Sequence, residues 1–276
     1  MSRDFLPDLK IVGAGAETPR TAALADPACP DCVTFVAGPP PGRSRRGDAE
    51  LRFAGDALGW VDGSPLAHLF AAGTSLRIDW ANAADPGPAP SPDDEEAFHA
   101  WARALGAARL ARRVLDGDPH AWVEVLASYR ERFRLPGQVR STVRPEEDGS
   151  LRIGVELPGP GDVPGRRGDT RPELRARYQD LCSGTLLAFA CDVFRVLPPA
   201  ADSLYLVGYR HEIDPATGHP RYAILMRLAT DRASVEGLDL SRATPSAAFE
   251  YLGGAAKTEK GELVALAHEA EFARVL

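Results

Sequence analysis

The chain has 276 residues, of which 44% are hydrophobic and 26% are charged, and its formal net charge at pH 7 is −7. This composition is typical of a globular protein and excludes a disordered tail, a collagen-like chain and a coiled-coil rod. Four cysteines in a chain of this length also exclude a small disulfide-stapled scaffold.

Residues 1–90 are predicted to form a β-rich N-terminal region. Short apolar runs alternate there with glycine, proline and aspartate, which punctuate strands and turns. The predicted strands are 33–36, 50–53, 66–70 and 76–80, with an exposed loop at 38–48 and a proline-rich linker at 84–92.

Residues 91–137 are predicted to form a helical hairpin. Ser91 and Pro92, followed by four acids, are typical of a helix N-terminus, and a second helix is expected from Pro119. We expect Trp101 and Trp122 to lie in the core; left unburied, they would be suitable interface anchors. The apolar positions of the first helix recur at helical spacing at Phe98, Trp101, Leu105 and Ala108.

Residues 138–276 are predicted to form an α+β domain. Hairpins are expected at 139–157 and 204–228, because each contains a short turn sequence rich in aspartate and glycine. Thr170 and Glu173 match a capping box ahead of a long helix, and a short helix is expected at 244–252. The fold class is therefore α+β: a β-rich N-terminal part, a helical hairpin, then an antiparallel sheet of two hairpins with helices packed on one face.

The N-terminal residues, the apolar stretches and the basic residues indicate the cellular compartment and the type of source genome. Acids and a proline interrupt the N-terminal residues where a signal peptide has its apolar core, and no stretch approaches the ~18 apolar residues of a membrane-spanning helix. We expect a cytoplasmic protein that does not engage a membrane. Lysine occurs only at positions 10, 257 and 260 among 32 basic residues, which indicates a GC-rich bacterial genome.

The common catalytic and nucleotide-binding motifs are absent from the sequence. No phosphate-binding loop, nucleophile elbow or His-Glu-x-x-His pattern occurs. Cys29 and Cys32 form a CxxC, but a zinc site needs a second close pair, and Cys182 and Cys191 occupy packing positions of the long helix. We therefore predict no metal and no cofactor.

An arginine set in the middle of the chain is the first candidate binding site. Guanidinium groups suit carboxylate or phosphate recognition, although a solvated surface in a lysine-poor protein is the more economical interpretation. Residues 101–180 carry 15 basic and 12 acidic groups, so this part alone would attract a polyanion. The candidate residues are Arg130, Arg132, Arg134, Arg140, Arg144, Arg166, Arg167, Arg171, Arg175 and Arg177.

A polar cluster at the tip of the second predicted hairpin is the alternative site. His211 and His219 are expected to face each other across the turn and, with Asp214, to bind a metal or share a proton, with Glu156 nearby. The simpler interpretation is a polar turn, because aspartate, proline and glycine all serve the turn itself.

Residues 141–254 resemble a segment of uncharacterised bacterial proteins, some of which are labelled restriction-endonuclease-like. The resemblance rests on the helix from Tyr178 and on the segments 213–218, 224–232 and 238–249. It covers less than half of the chain and contains no catalytic signature. It implies an accessory or recognition domain of a bacterial defence system.

Two functional hypotheses follow from the sequence. The first is a non-enzymatic interaction or adaptor subunit that binds a protein partner or, through the arginine set, a nucleic acid. The second is a metal-dependent hydrolase or nuclease that uses His211, Asp214, His219 and Glu156. A sensor that holds a small carboxylate or phosphate with arginines cannot be separated from the first hypothesis by sequence.

Overall fold

The computed structural model describes residues 11–13, 50–54, 57–61, 76–78, 80, 85–129, 141–146, 149–163, 169–214, 216–239 and 242–266. In the N-terminal region it contains β1 (Ile11–Gly13) paired antiparallel with β4 (Leu76–Ile78), and β2 (Glu50–Ala54) paired antiparallel with β3 (Ala57–Val61). β2 and β4 confirm two predicted strands. The predicted strands 33–36 and 66–70 and the loop 38–48 lie outside the described residues.

The helical hairpin is present as α1 (Glu95–Leu115) and α2 (Pro119–Tyr129). The N-cap of α1 is Asp94, whose Oδ1 accepts the backbone N–H of Ala97 at 3.0 Å, so the helix begins three residues later than Pro92 predicts. The turn is fixed by Arg113, whose guanidinium contacts the carboxylates of Asp118 at 2.9 Å and Glu124 at 3.0 Å. These ion pairs stabilise the short turn between α1 and α2.

The main sheet has six strands in the order β10-β9-β8-β7-β6-β5. The strands are β5 (Ser141–Pro145), β6 (Leu151–Glu156), β7 (Ser203–Ile213), β8 (Pro220–Asp231), β9 (Ala255–Glu259) and β10 (Glu262–Val264). The α+β class and both predicted hairpins are confirmed, since β5 pairs antiparallel with β6 and β7 with β8. A fully antiparallel sheet is wrong, because β6 and β7 run parallel.

The parallel pair follows from the helix that connects its two strands. A parallel connection must bring the chain back to the same end of the sheet, which requires a crossover. Helix α3 (Arg171–Val196) is that crossover. The predicted capping box is confirmed: Thr170 Oγ1 accepts the N–H of Glu173, and Glu173 accepts the N–H of Thr170 at 2.7 Å.

Helix α3 is the centre of the core. Residues 181–194 are all buried, which is typical of a helix enclosed on every side rather than one with a single apolar stripe. It contacts β7, the strands β2, β3 and β4, and the short helices α4 (Arg232–Glu236) and α5 (Pro245–Tyr251). No helix in the described ranges combines the length and apolar character needed to cross a bilayer.

Candidate functional site

The hairpin of β7 and β8 extends beyond the rest of the sheet. Among the described residues, β6 pairs with β7 only as far as Tyr209, and β9 pairs with β8 only at Met226 and Arg227. Residues 210–213 and 220–223 therefore pair with each other as a two-stranded ribbon. We call residues 210–223 the arm.

The register of the arm separates two kinds of side chain. His211 lies opposite Tyr222 and Ile213 lies opposite Pro220, so these four positions share one face. We call this face the apolar arm face. The charged residues Arg210, Glu212 and Arg221 occupy the other face. This face lies on the side of α3, because Arg210 contacts Tyr178 of that helix.

The charged face is tied to α3 through Arg210. Its guanidinium donates to the hydroxyl oxygen of Tyr178 at 3.3 Å and to Glu212 at 2.5 Å, and Arg221 contacts the same carboxylate at 3.4 Å. The Tyr178 hydroxyl donates to the carbonyl of Pro158 at 3.0 Å, and burial raises the pKa of Tyr178. The base of the arm is therefore held to the core while its charges are neutralised internally.

Three aromatic rings meet at the base of the apolar arm face. The ring centroids of His211 and Tyr222 are 4.5 Å apart, and Tyr209 lies 5.5 Å from Tyr222 and 5.8 Å from His211. Tyr209 is only 4% exposed, whereas Tyr222 is 48% and Ile213 is 64% exposed. We call Tyr209, His211 and Tyr222 the aromatic platform. Tyr209 is its buried member, whereas Tyr222 and the neighbouring Ile213 remain exposed.

The parallel pairing of β6 with β7 brings Glu156 to this platform. Glu156 is the register partner of Tyr209, and its Oε1 lies 3.9 Å from Nε2 of His211. This distance is too long for a hydrogen bond, although it permits an ion pair when the imidazole is protonated. Two of the four residues of the predicted polar cluster are therefore neighbours.

Asp214 and His219 have turn-forming roles. Asp214 Oδ1 accepts the N–H of Ala216 at 2.8 Å, and the backbone N–H of Asp214 donates to the carbonyl of His219 at 2.9 Å. Gly218 has φ +70°, a conformation that glycine adopts at little cost, and its N–H donates to the carbonyl of Asp214 at 2.7 Å. Within the described residues, no group of three or more His, Cys, Asp or Glu side chains is arranged to hold a metal ion.

The described members of the arginine set do not share one surface. Arg175 donates to the Lys260 carbonyl at 2.7 Å and to Glu262 at 2.5 Å, and so ties α3 to the β9–β10 hairpin. Arg171 is exposed at the start of α3. Arg144 lies opposite Arg152 on the sheet face away from α3. Arg177 pairs with Asp169 at 2.9 Å. The other predicted members lie outside the described residues: Arg130, Arg132, Arg134, Arg140, Arg166 and Arg167.

Tyr209, Ile213 and Tyr222 belong to the site although no sequence motif indicates them. Each belongs to a predicted strand, and an apolar or aromatic residue beside a polar turn was the available signal. The exposure of Ile213 and Tyr222 on one face depends on where β6 and β9 stop pairing, which the hairpin sequence does not encode. Comparisons with family models, with curated proteins and with solved structures each find no match.

Proposed function

We propose that the chain is a non-enzymatic interaction or adaptor protein that binds a protein partner through the apolar arm face. The observation that carries the proposal is that Ile213 and Tyr222, 64% and 48% exposed, lie on the same face of a projecting ribbon. Exposed apolar side chains grouped on one face are typical of interaction sites, whereas scattered ones are ordinary.

The composition of the face fits a protein interface. Tyrosine is enriched among the residues that contribute most to binding, and Tyr222 is supported from beneath by the buried ring of Tyr209. An isolated two-stranded hairpin is marginally stable in water, so an arm of this kind gains stability when a partner covers it. Burial of Ile213 and Tyr222 is expected to supply about 1–3 kcal/mol each.

The charges of the arm favour a protein over a nucleic acid. Both arginines of the ribbon contact Glu212 and lie on the opposite face, and the Glu156 carboxylate lies 3.9 Å from His211 of the aromatic platform. A carboxylate beside the platform repels phosphate, and the chain as a whole carries −7. The nucleic-acid version of the interaction hypothesis therefore receives less support from the arm.

The hydrolase or nuclease alternative receives support from one contact. Glu156 and His211 approach each other, but the Asp214 carboxylate accepts a backbone N–H within the turn. We accordingly assign Glu156 and His211 to the binding surface and give them no catalytic role. A cytoplasmic location and a place in a bacterial defence system belong to the proposal as predictions from the sequence.

The proposal is tested with the double variant Ile213→Ser/Tyr222→Ala. Full-length chain is purified from its own host at low salt and the retained protein partner is quantified by native mass spectrometry. We expect the double variant to retain at least tenfold less partner than the wild type, because truncated anchors at an interface typically cost 2 kcal/mol or more.

The matched control is Tyr251→Ala, which removes a 79% exposed tyrosine from α5. It should retain the partner at the wild-type level, and all three chains should melt within a few degrees of one another. Purification of the wild type without any protein partner would contradict the proposal, as would equal retention by the double variant.

A further inference from the structure

The first half of α1 has no buried residue, although the helix is 21 residues long. The buried residues of α1 are Ala107, Leu110, Ala111 and Val114, all in its second half. Residues 95–106 are half-buried or exposed throughout. This part of the helix therefore extends past the core that its second half joins.

An apolar stripe follows this exposed half. Phe98, Trp101 and Leu105 recur at positions i, i+3 and i+7, the spacing with which a helix presents anchors to a groove. Phe98 is 36% exposed, and Trp101 and Leu105 are half-buried. The stripe is thus partly accessible over about two helical turns.

The aromatic pair of the stripe is held in place before any partner binds. The rings of Phe98 and Trp101 are 5.6 Å apart, and the indole N–H of Trp101 donates to the carbonyl of Gly87 at 2.8 Å. The proline-rich segment that precedes the helix therefore satisfies the only polar atom of the indole. A rigid aromatic pair with no unsatisfied polar atom loses little entropy on binding.

The charge around the stripe is acidic. Asp93, Asp94, Glu95 and Glu96 lie two to five residues before Phe98, and all four are exposed. A nucleic acid would bring further negative charge to this end of the helix, which like-charge repulsion disfavours. A partner surface with basic residues complements it.

We propose that the first three turns of α1 form a second docking surface, in which Phe98, Trp101 and Leu105 insert into an apolar groove with a basic rim on a protein partner. This surface lies on a different element from the arm, and its existence does not depend on the arm's function. A chain with two such surfaces can bridge two proteins.

The test uses the photoreactive amino acid p-benzoylphenylalanine, placed at position 98 of the full-length chain in its own host. Illumination should cross-link position 98 to a protein, and the linked peptide should combine apolar residues with neighbouring Lys or Arg. The matched control position is Leu115, which is 48% exposed at the other end of the same helix. The yield of this cross-linked product from position 115 should be at least tenfold lower than the yield from position 98.

A charge reversal separates this proposal from non-specific capture. Glu95→Lys, introduced together with the photoreactive residue at position 98, should lower the yield severalfold, because helix geometry places Glu95 at the edge of the stripe, where a cation would face the basic rim. Equal yields from positions 98 and 115, a yield that survives the reversal, or cross-links to nucleic acid or a second copy would each overturn the proposal. The cross-linking yield at position 98 should be unchanged in the Ile213→Ser/Tyr222→Ala variant. Failure of the arm proposal can therefore be told apart from failure of this one.

Discussion

At the scale of single residues, burial decides the chemistry of Cys182. Its thiol lies inside α3 beside Tyr178 and Arg210, and burial raises its pKa to about 12 from an ordinary value of 9.0. A thiol reacts as its thiolate, so Cys182 is inert in the folded chain. Its position predicts a packing role and no redox role.

The raised pKa of Cys182 predicts a loss of stability at alkaline pH. The thiol ionises in the unfolded chain before it ionises in the folded chain, so its contribution is complete below about pH 9 and is lost as the pH rises towards 12. The free energy of unfolding, measured by urea titration at pH 8 and pH 10.5 under reducing conditions, should fall between these values. In Cys182→Ala the fall should be smaller, and an unchanged fall would show that this thiol is not responsible.

Some residue roles can be read directly from the sequence, because they depend on near neighbours. The capping box of Thr170 and Glu173 spans three residues, and its predicted contacts are present. Cys182 and Cys191 occupy predicted packing positions in the part of α3 that is enclosed on every side, and both thiols are buried and free. The proximity of Glu156 to His211 is different, since it requires the parallel register of β6 and β7.

At the scale of secondary-structure elements, local signals predict hairpins but not their arrangement. The turns at Gly149 and Gly218 specify two antiparallel pairs, as the sequence predicts. Whether those pairs join in parallel or antiparallel fashion depends on how α3 crosses the sheet, which no short pattern encodes. β9 and β10 escape sequence detection because they are short and mostly exposed.

The C-terminal end of α3 depends on a distant arginine. Arg232 donates to the carbonyl oxygens of Phe194, Leu197 at 3.2 Å, Pro198 at 2.8 Å and Ala201 at 3.1 Å. These carbonyls would otherwise lack intrahelical donors, and a cation at this end also interacts favourably with the helix dipole.

We expect Arg232→Ala to lower the free energy of unfolding by about 3 kcal/mol, because it removes a donor shared by four partly buried carbonyls, of which only that of Pro198 is shown to keep another donor, the N–H of Ala201. Chemical denaturation followed by far-ultraviolet circular dichroism measures the change. Arg171→Ala is the matched control at the other end of α3, where the side chain is exposed, and should change stability by no more than about 0.5 kcal/mol. Similar losses from both variants would contradict the capping role.

At the scale of the whole molecule, the fold separates a buried helix from two exposed apolar surfaces. α3 is enclosed by the sheet and the smaller helices, and this core supports the β7–β8 arm through Arg210 and Tyr178. The arm and the first half of α1 both carry aromatic side chains that the core does not use. Surfaces held on a rigid support lose little conformational entropy when a partner binds them.

Hydrogen–deuterium exchange tests directly whether a partner covers the apolar arm face. The ribbon is expected to exchange quickly in the free chain, because a two-stranded segment opens locally at little cost. In the complex isolated from the host, amides in 211–213 and 221–223 should exchange at least tenfold more slowly than in the free chain. Unchanged exchange in the arm, in a complex that protects other parts of the chain, would contradict the account.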